Sequence, residues 1–530
     1  MPNIATNKYT HSKVRFFLSR NFFIFLLLLI ETVAFIVLTI LFQQQFFAVR
    51  IIFDILGILL GLRIIVSKSS PSYKLLWMLL LVIFPIVGIV SYILFAEDKF
   101  NAREEKILTK MIAEDYGSVI NSKFVDDAIE ELNNKNDLDG YNIARYIKRT
   151  SVSPLSSKTK TTYFAWGEDA FPVMVEALKK AKHYIFIEYF IIEPGKMWDT
   201  ILEILKEKVK NGVDVRVFYD DLGCMKTLPK GYCKELASYG IKAMKYSPIK
   251  PILSVRMNNR DHRKIMVIDG HTGFTGGINL ADEYINEKVR FGRWKDNCLM
   301  LEGDGVFDMT AMFLVVWHLL DKKSSLRIDY SKYLPSLYKD ETKPFVGGGG
   351  YVQSYCSVPF LYESIGQNVY IDIALKAKKY LYISTPYLIL DDELTNALRL
   401  AAKNGVDVRI ITPHIPDKKL VFEVTRSNYK PLLRAGVKIY EYLPGFIHAK
   451  TFVCDDIMAT VGTINLDYRS LYLHLENGTF IYKEKSVLDI KNDFLQTFIV
   501  SKEWTLDDEN KIKWYRRLFR SILTIFAPLL

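Results

Sequence analysis

The sequence predicts an α/β protein of two duplicated lobes, each a mixed sheet flanked by helices, behind an N-terminal transmembrane helical segment. Three observations predict it. The string Asn-Gly-Val-Asp-Val-Arg occurs at 211–216 and again at 404–409. Around both copies, strand-like and helix-like stretches alternate, as sheets covered by helices require. Long apolar runs crowd the first 95 residues, where charges are few.

The length of 530 residues asks for more than one domain. The expected division is a membrane region over 1–96 with two or three spans, a charged helical connector over 97–160, a first lobe over 161–345, and a second over 346–530 ending in a basic amphipathic tail. Formal net charge is +11. That balance suits an anionic membrane surface or nucleic acid, and composition alone does not choose between them. Cys224, Cys233, Cys298, Cys356 and Cys454 form no CxxC pair and no framework.

In the membrane region, Asn21–Phe42 and Leu75–Phe95 are each long enough to cross a hydrocarbon core of about 30 Å. The first is too long for a signal peptide, and no small-residue cleavage site follows it. Between them Phe46–Val66 is apolar but holds Arg50, Asp54 and Arg63, which makes it the doubtful span. A multi-pass protein of the cell membrane follows. Two or three spans decide the side of the lobes by the positive-inside rule, and the sequence leaves this open. The dense charges of 97–150 read as a solvated helical connector.

In the first lobe, Phe171–Lys180 and Asp199–Lys210 read as helices, Tyr184–Ile192 as a strand, and Asn211–Arg216 opens another. In the second, Val369–Lys378 and Leu394–Lys403 are helical, Tyr380–Pro386 is a strand, and Asn404–Arg409 opens the next. Gly347–Gly350 marks the join; no Lys-Ser/Thr follows, which rejects a P-loop. Arg216 and Arg409 are expected to pair with local acids, Asp220 or Asp221 for the first. Tyr189 and Tyr387 line the cleft or belong to the core, with the core favoured. Lys511–Arg520 is basic and Ser521–Leu530 greasy, a pattern that suits either the headgroup layer or packing on the second lobe.

The chemistry sits in a second duplication. Asp261-His262-Arg-Lys264-Ile-Met-Val-Ile-Asp269 and Ile447-His448-Ala-Lys450-Thr-Phe-Val-Cys-Asp455 both read His-x-Lys-x4-Asp. Asn279 and Asn465 lie 17 residues after their histidines. On a strand, residues i and i+2 share a face, so each copy presents an imidazole beside an ammonium. Two such pairs around one volume suit a phosphoryl group. Lys264 and Lys450, with Asn279 and Asn465, would bind the phosphate oxygens. One histidine would attack phosphorus and the other protonate the leaving alcohol; the sequence does not say which. An orienting carboxylate keeps such a ring neutral and aimed. Asp296, 34 residues after His262, and Glu476, 28 after His448, are the expected partners. Asp269 and Asp455 complete the expected catalytic set, although their place at the strand end suits tying down a loop better than touching phosphate. Lysine is a poor metal ligand and no cluster shows a metal spacing, so no metal is expected.

These paired motifs resemble the phospholipase D superfamily. Gly445-Phe-Ile-His-Ala-Lys450 and Gly462-Thr-Ile-Asn-Leu-Asp-Tyr-Arg-Ser470 are similar to bacterial-type cardiolipin synthases. The resemblance covers nearly the whole chain, from the membrane head to Ala527-Pro-Leu-Leu530. It implies phospholipase D-like lobes and no cofactor. It also implies a reaction in which two phosphatidylglycerol molecules give cardiolipin and glycerol through a phosphatidyl-histidine. The implied partners are phosphatidylglycerol and other anionic membrane lipids, with no nucleic acid. Two rival readings share the site: a phospholipase D-type hydrolase with water as acceptor, and a nuclease. The hydrophobic head and the lack of a base-stacking aromatic module weigh against the nuclease.

Overall fold

The computed structural model describes residues 43–67, 71–95, 116–123, 127–248, 259–321, 328–337, 347–359 and 363–529, with isolated positions at 26–37 and 107–111. It divides into two compact units, Met1–Asp98 with Lys250–Val255, and Lys99–Ile249 with Arg256–Leu530.

Among the described residues of the first unit, helices run over Gln43–Val66, Pro71–Ile83 and Pro85–Phe95. The expected continuous span Leu75–Phe95 is therefore two helices, and the break is chemical. Pro85 has no N–H to donate to the preceding turn, and its ring crowds the carbonyl four residues back. Gly88 sits in the same bend, where a Cβ would come within 2.8 Å of the Leu80 carbonyl oxygen. Among the described residues no helix is long and apolar enough to cross a membrane. The run Asn21–Phe42 falls largely outside the described residues. The doubtful stretch Phe46–Val66 lies within the first helix.

The second unit holds two sheets of one topology. The first contains β1 Thr159–Phe164, β2 Tyr184–Tyr189, β3 Asp214–Asp220, β4 Lys242–Tyr246, β5 Lys264–Ile268, β6 Thr272–Gly276 and β7 Cys298–Gly303. Their order is β1-β7-β6-β5-β2-β3-β4. The second contains β8 Tyr351–Ser357, β9 Tyr380–Ser384, β10 Asp407–Pro413, β11 Lys438–Tyr442, β12 Thr451–Cys454, β13 Met458–Gly462, β14 Glu476–Tyr482 and β15 Ser501–Trp504. Its order, β8-β14-β13-β12-β9-β10-β11-β15, repeats the first and adds one edge strand. Both sheets are mixed: β2, β3 and β4 run parallel, and β5 returns antiparallel to β2. The central strands β2, β5, β9 and β12 are buried along their whole length, as unbroken apolar runs require.

The helix after β7 and the helix after its counterpart β14 each reach the other lobe. Val306–Leu320 follows β7 and packs on β8; Lys485–Ile499 follows β14 and packs on β1. The first is apolar all round and buried from Val306 to Trp317, as expected of a helix covered on every side. Phe186, Phe313 and Trp317 stack in its contact with the first sheet. Burial of each such side chain contributes roughly 1.5–3 kcal/mol.

Two expectations are corrected here. The connector is helical at Gly117–Lys123, Asp127–Asn134 and Leu138–Ser151, but it is no solvated face. Ile143, Ala144 and Ile147 are fully buried, Gly140 lies against the Tyr482 ring, and Tyr116 donates to the buried Asp308. The periodic apolar stripe of that last helix outweighs its charge density. Arg216 and Arg409 pair not with Asp220 or Asp221 but with Asp214 and Asp407, at 2.7 and 2.6 Å. The acid two residues back lies on the same face of the strand.

Candidate active site

His262 lies two residues before β5, and His448 three residues before β12. Neither motif stands alone in its own lobe. Asp261 bridges to Leu475 and Ile447 to Lys295 in short parallel pairings between lobes. The His262 N–H donates to the Leu475 carbonyl at 2.9 Å, and the His448 N–H to the Lys295 carbonyl at 2.7 Å. Each histidine is thereby laid beside the other lobe's carboxylate segment.

The hydrogen bonds follow that docking. His262 Nδ1 is 3.0 Å from both Glu476 oxygens, and His448 Nδ1 is 2.6 Å from Asp296 Oδ2. The pairs are crossed: each carboxylate meets the ring of the opposite lobe, not the motif that precedes it in sequence. With Nδ1–H donated to a carboxylate, Nε2 of a neutral ring keeps its lone pair. Glu476 and Asp296 are fully buried.

Lys264 and Lys450 are buried as well, each 1% exposed. Each ammonium folds back onto its own histidine's carbonyl, Lys264 at 2.6 Å. Burial pushes Lys264 down to about 8 and Lys450 to about 7. Burial also holds His448 down at about 4, with Lys450 adding to the effect and Asp296 opposing it. His262 lies well below its ordinary value through burial, then the charges of Lys264, Lys450 and His448. Both rings and both lysines therefore sense one another across the lobes, and the rest state is two neutral imidazoles beside two readily titrated amines.

This concentration of basic groups costs stability. Unfolded, Lys450 keeps its ordinary value near 10.5. Between about 7 and 10.5 the unfolded chain binds the extra proton, so this group's contribution to stability rises with pH; below about 7 its full cost is present. Lys450→Met is expected to raise Tm by roughly 2 °C, more at pH 6 than at pH 9, while lowering turnover by about 100-fold or more. Thermal unfolding at both pH values, beside an activity assay, checks both halves.

The remaining expected residues divide. Asn279 Oδ1 accepts from the Ile191 N–H at 3.0 Å, and its amide donates to the Tyr284 hydroxyl at 2.7 Å. It is more committed to the scaffold than a phosphate ligand needs to be. Asn465 differs: it is 5% exposed, and its Oδ1 has no hydrogen-bond partner. Asp269 and Asp455 follow the far end of their strands, roughly 16 Å along the chain from Lys264 or Lys450. Each accepts three backbone N–H groups, from Lys182, His183 and Tyr184 or from Lys378, Lys379 and Tyr380. They fasten the start of β2 and β9 and face away from the rings, so their inclusion in the catalytic set is corrected. Tyr189 is core; Tyr387 is half-buried and donates to Asp417 at 2.6 Å.

Two further residues touch the site. Thr463 donates to Glu476. At the matching place in the first lobe stands Gly277, where a Cβ would fall 1.9 Å from Asp296 Oδ1. The shorter carboxylate needs the missing side chain, and the longer one gains a hydroxyl donor. His474 Nδ1 lies 3.5 Å from Glu476 Oε1, and burial holds its ring down at about 3. Its signal in the sequence is its position two residues before Glu476. Among the described residues His262, His474 and Glu476 form one group able to hold a metal ion. Local spacing hides it, because His262 arrives from the other lobe. Glu476 is already bonded to His262, so a metal there would compete for the same ring and carboxylate.

Known proteins resemble this chain in sequence and in fold. The family described as "Cardiolipin synthase, PLD-like domain" matches residues 174–291 and 370–498, and the family described as "Phospholipase_D-nuclease N-terminal" matches 51–97. An uncharacterized protein of Streptococcus mutans is 45% identical over 88% of this chain and 99% of its own length. A cardiolipin synthase of Halalkalibacterium halodurans is 32% identical over 91% of this chain and 94% of its own. Cardiolipin synthase 2 of Bacillus anthracis is 35% identical over 90% and 91%. In fold, the chain is similar to the phosphatidylserine synthase of Haemophilus influenzae, with a TM-score of 0.54 at 16% identity over 73% of this chain and all of that one.

Proposed function

Since the chain belongs to the cardiolipin synthase family of phospholipase D-like proteins, we propose that it transfers a phosphatidyl group between two phosphatidylglycerol molecules, releasing glycerol and forming cardiolipin. The observation that carries this reading is the crossed pair of imidazole–carboxylate bonds, which leaves one Nε2 lone pair on each ring at the seam between lobes.

The transfer runs in two displacements. Nε2 of one histidine attacks phosphorus, a P–N bond forms, and the P–O bond to the terminal glycerol breaks. The leaving oxygen takes its proton from the other histidine. The hydroxyl of a second phosphatidylglycerol then gives its proton to that same ring, its oxygen attacks phosphorus, and the P–N bond breaks. The bound phosphodiester's negative charge favours the protonated form of the second ring, which an empty site does not. Lys264, Lys450 and the Asn465 amide meet the charge that shifts onto the non-bridging oxygens. Residues up to about 95 hold the enzyme at the cell membrane, where water is scarce and the acceptor is a lipid alcohol.

Purified protein in phosphatidylglycerol liposomes tests this, with products read by mass. Cardiolipin with equimolar glycerol is expected; phosphatidic acid as the main product makes water the acceptor and overturns transfer. The lysines set the pH dependence. The free enzyme loses their positive charge as pH rises through about 7 to 8, so kcat/KM is expected to fall over that window. A bound anion restores the ammoniums, so kcat is expected to stay level to higher pH. A kcat/KM that climbs between pH 7 and 9 contradicts phosphate binding by these amines.

A further inference from the structure

We infer that the C-terminal helix Trp514–Ile525 is a docking element that lays its apolar face into the interface of an anionic bilayer. A surface helix on a soluble domain turns its greasy stripe inward; this one does the reverse. Trp514, Tyr515, Leu518, Phe519, Ile522 and Ile525 are all exposed, Trp514 at 74% and the rest at 44–55%. At about 100° per residue they fill one arc of roughly 140° with no polar residue among them.

The opposite side holds the helix to the second lobe by polar contacts. Arg520 donates to Glu423 at 2.8 Å from helix Lys419–Ser427, and Arg516 pairs with the same carboxylate. The Thr524 and Ser427 hydroxyls meet at 3.1 Å. Arg516 and Arg520 are thus spent on the protein while six large apolar side chains face outward. Lys511, Lys513 and Arg517 are exposed around the N-terminal end of that face, the sign that an anionic headgroup layer attracts.

The helix is also tied to the rim of the site. Leu523 and Ala527 pack with Val424 and Tyr468, and Tyr468 lies three residues past Asn465. The charge of Lys418, just before the helix that carries Glu423, acts on His262. A bilayer seated on this face would present lipid at the edge of the second lobe that carries Val424 and Tyr468. The choice of an anionic bilayer as partner rests on the proposed phosphatidylglycerol chemistry; the outward apolar face does not.

The test uses the full chain in liposomes. Ile522→Cys, in a Cys233→Ser background, carries an environment-sensitive fluorophore; the other four cysteines are buried. Leu518→Cys serves as a second site should the first variant misfold. In phosphatidylcholine vesicles containing phosphatidylglycerol, the emission is expected to shift to the blue. It is also expected to fall about twofold with nitroxide-bearing lipids, and Lys513→Glu with Arg517→Glu is expected to weaken that quenching. An aqueous spectrum overturns the inference. So does a shielded probe that lipid nitroxides leave alone, which means another protein surface covers the face. Equal quenching without phosphatidylglycerol overturns the charge recognition and with it the inference as stated. Product formation is measured on the same vesicles: quenching without cardiolipin refutes the proposed activity and leaves docking standing, and cardiolipin without quenching does the opposite.

Discussion

Replacing His262 or His448 by asparagine is expected to lower cardiolipin formation by at least about three orders of magnitude in each case, with only one of the two variants still accumulating acid-labile phosphate on the protein. Asparagine keeps a polar group of similar reach but supplies neither a nucleophilic Nε2 nor a proton at neutral pH. The variant that lacks the nucleophile forms no P–N bond. The variant that lacks the acid-base ring forms it slowly and loses it more slowly still, since the acceptor hydroxyl has no base. Labelled phosphatidylglycerol, with the protein quenched in alkali, separates the two. Label retained by both variants, or by neither while the wild type is labelled, contradicts a division of labour between the rings.

The second large effect concerns the crossed carboxylates. Asp296→Asn is expected to lower turnover by about 100- to 10,000-fold, by freeing His448 to adopt the wrong tautomer. Glu476→Gln is expected to do the same through His262. KM is expected to change little, because neither carboxylate faces the lipid. The pairing itself has a signature that a merely structural role would not give. The low-field Nδ1 proton resonance of His448 should vanish in Asp296→Asn and persist in Glu476→Gln, where that of His262 vanishes instead. Loss of the ring in the same lobe as the substituted carboxylate would mean that the hydrogen bonds are not crossed in solution.

How much of this is legible in the sequence depends on how local the cause is. The helices and strands follow from short-range pattern: Asp199–Lys210 is observed as Lys196–Lys210, and Leu394–Lys403 as Asp392–Lys403. The duplication is legible because 211–216 and 404–409 share their letters, and both strings open equivalent strands, β3 and β10. The lobe interface is not legible. Nothing in the spacing of His262 and Asp296 says that the carboxylate turns to His448 instead, because that depends on Asp261 bridging to Leu475 across 214 residues and Ile447 to Lys295 across 152. The same reason hides His474 beside His262. Asp269 and Asp455 mislead in the other direction. Their fixed offset ties them to the histidines in sequence, yet a strand that begins at a reacting centre must carry its last residue away from it. The connector misleads by composition, since the stripe of Ile143 and Ile147 is thin among many charges. At the membrane head, hydropathy reads Leu75–Phe95 as one run, and Pro85 divides it.

The central claim is that two rings, one from each lobe, close on a single phosphorus from opposite sides. A crystal structure of the full chain with orthovanadate tests it most directly. The expected result is one five-coordinate vanadium with Nε2 of one histidine at one apex, an oxygen at the opposite apex within hydrogen-bonding distance of Nε2 of the other, and the Lys264 and Lys450 ammoniums on its equatorial oxygens. Vanadate bound to one ring, with the second ring out of hydrogen-bonding reach of the opposite apical oxygen, would contradict it.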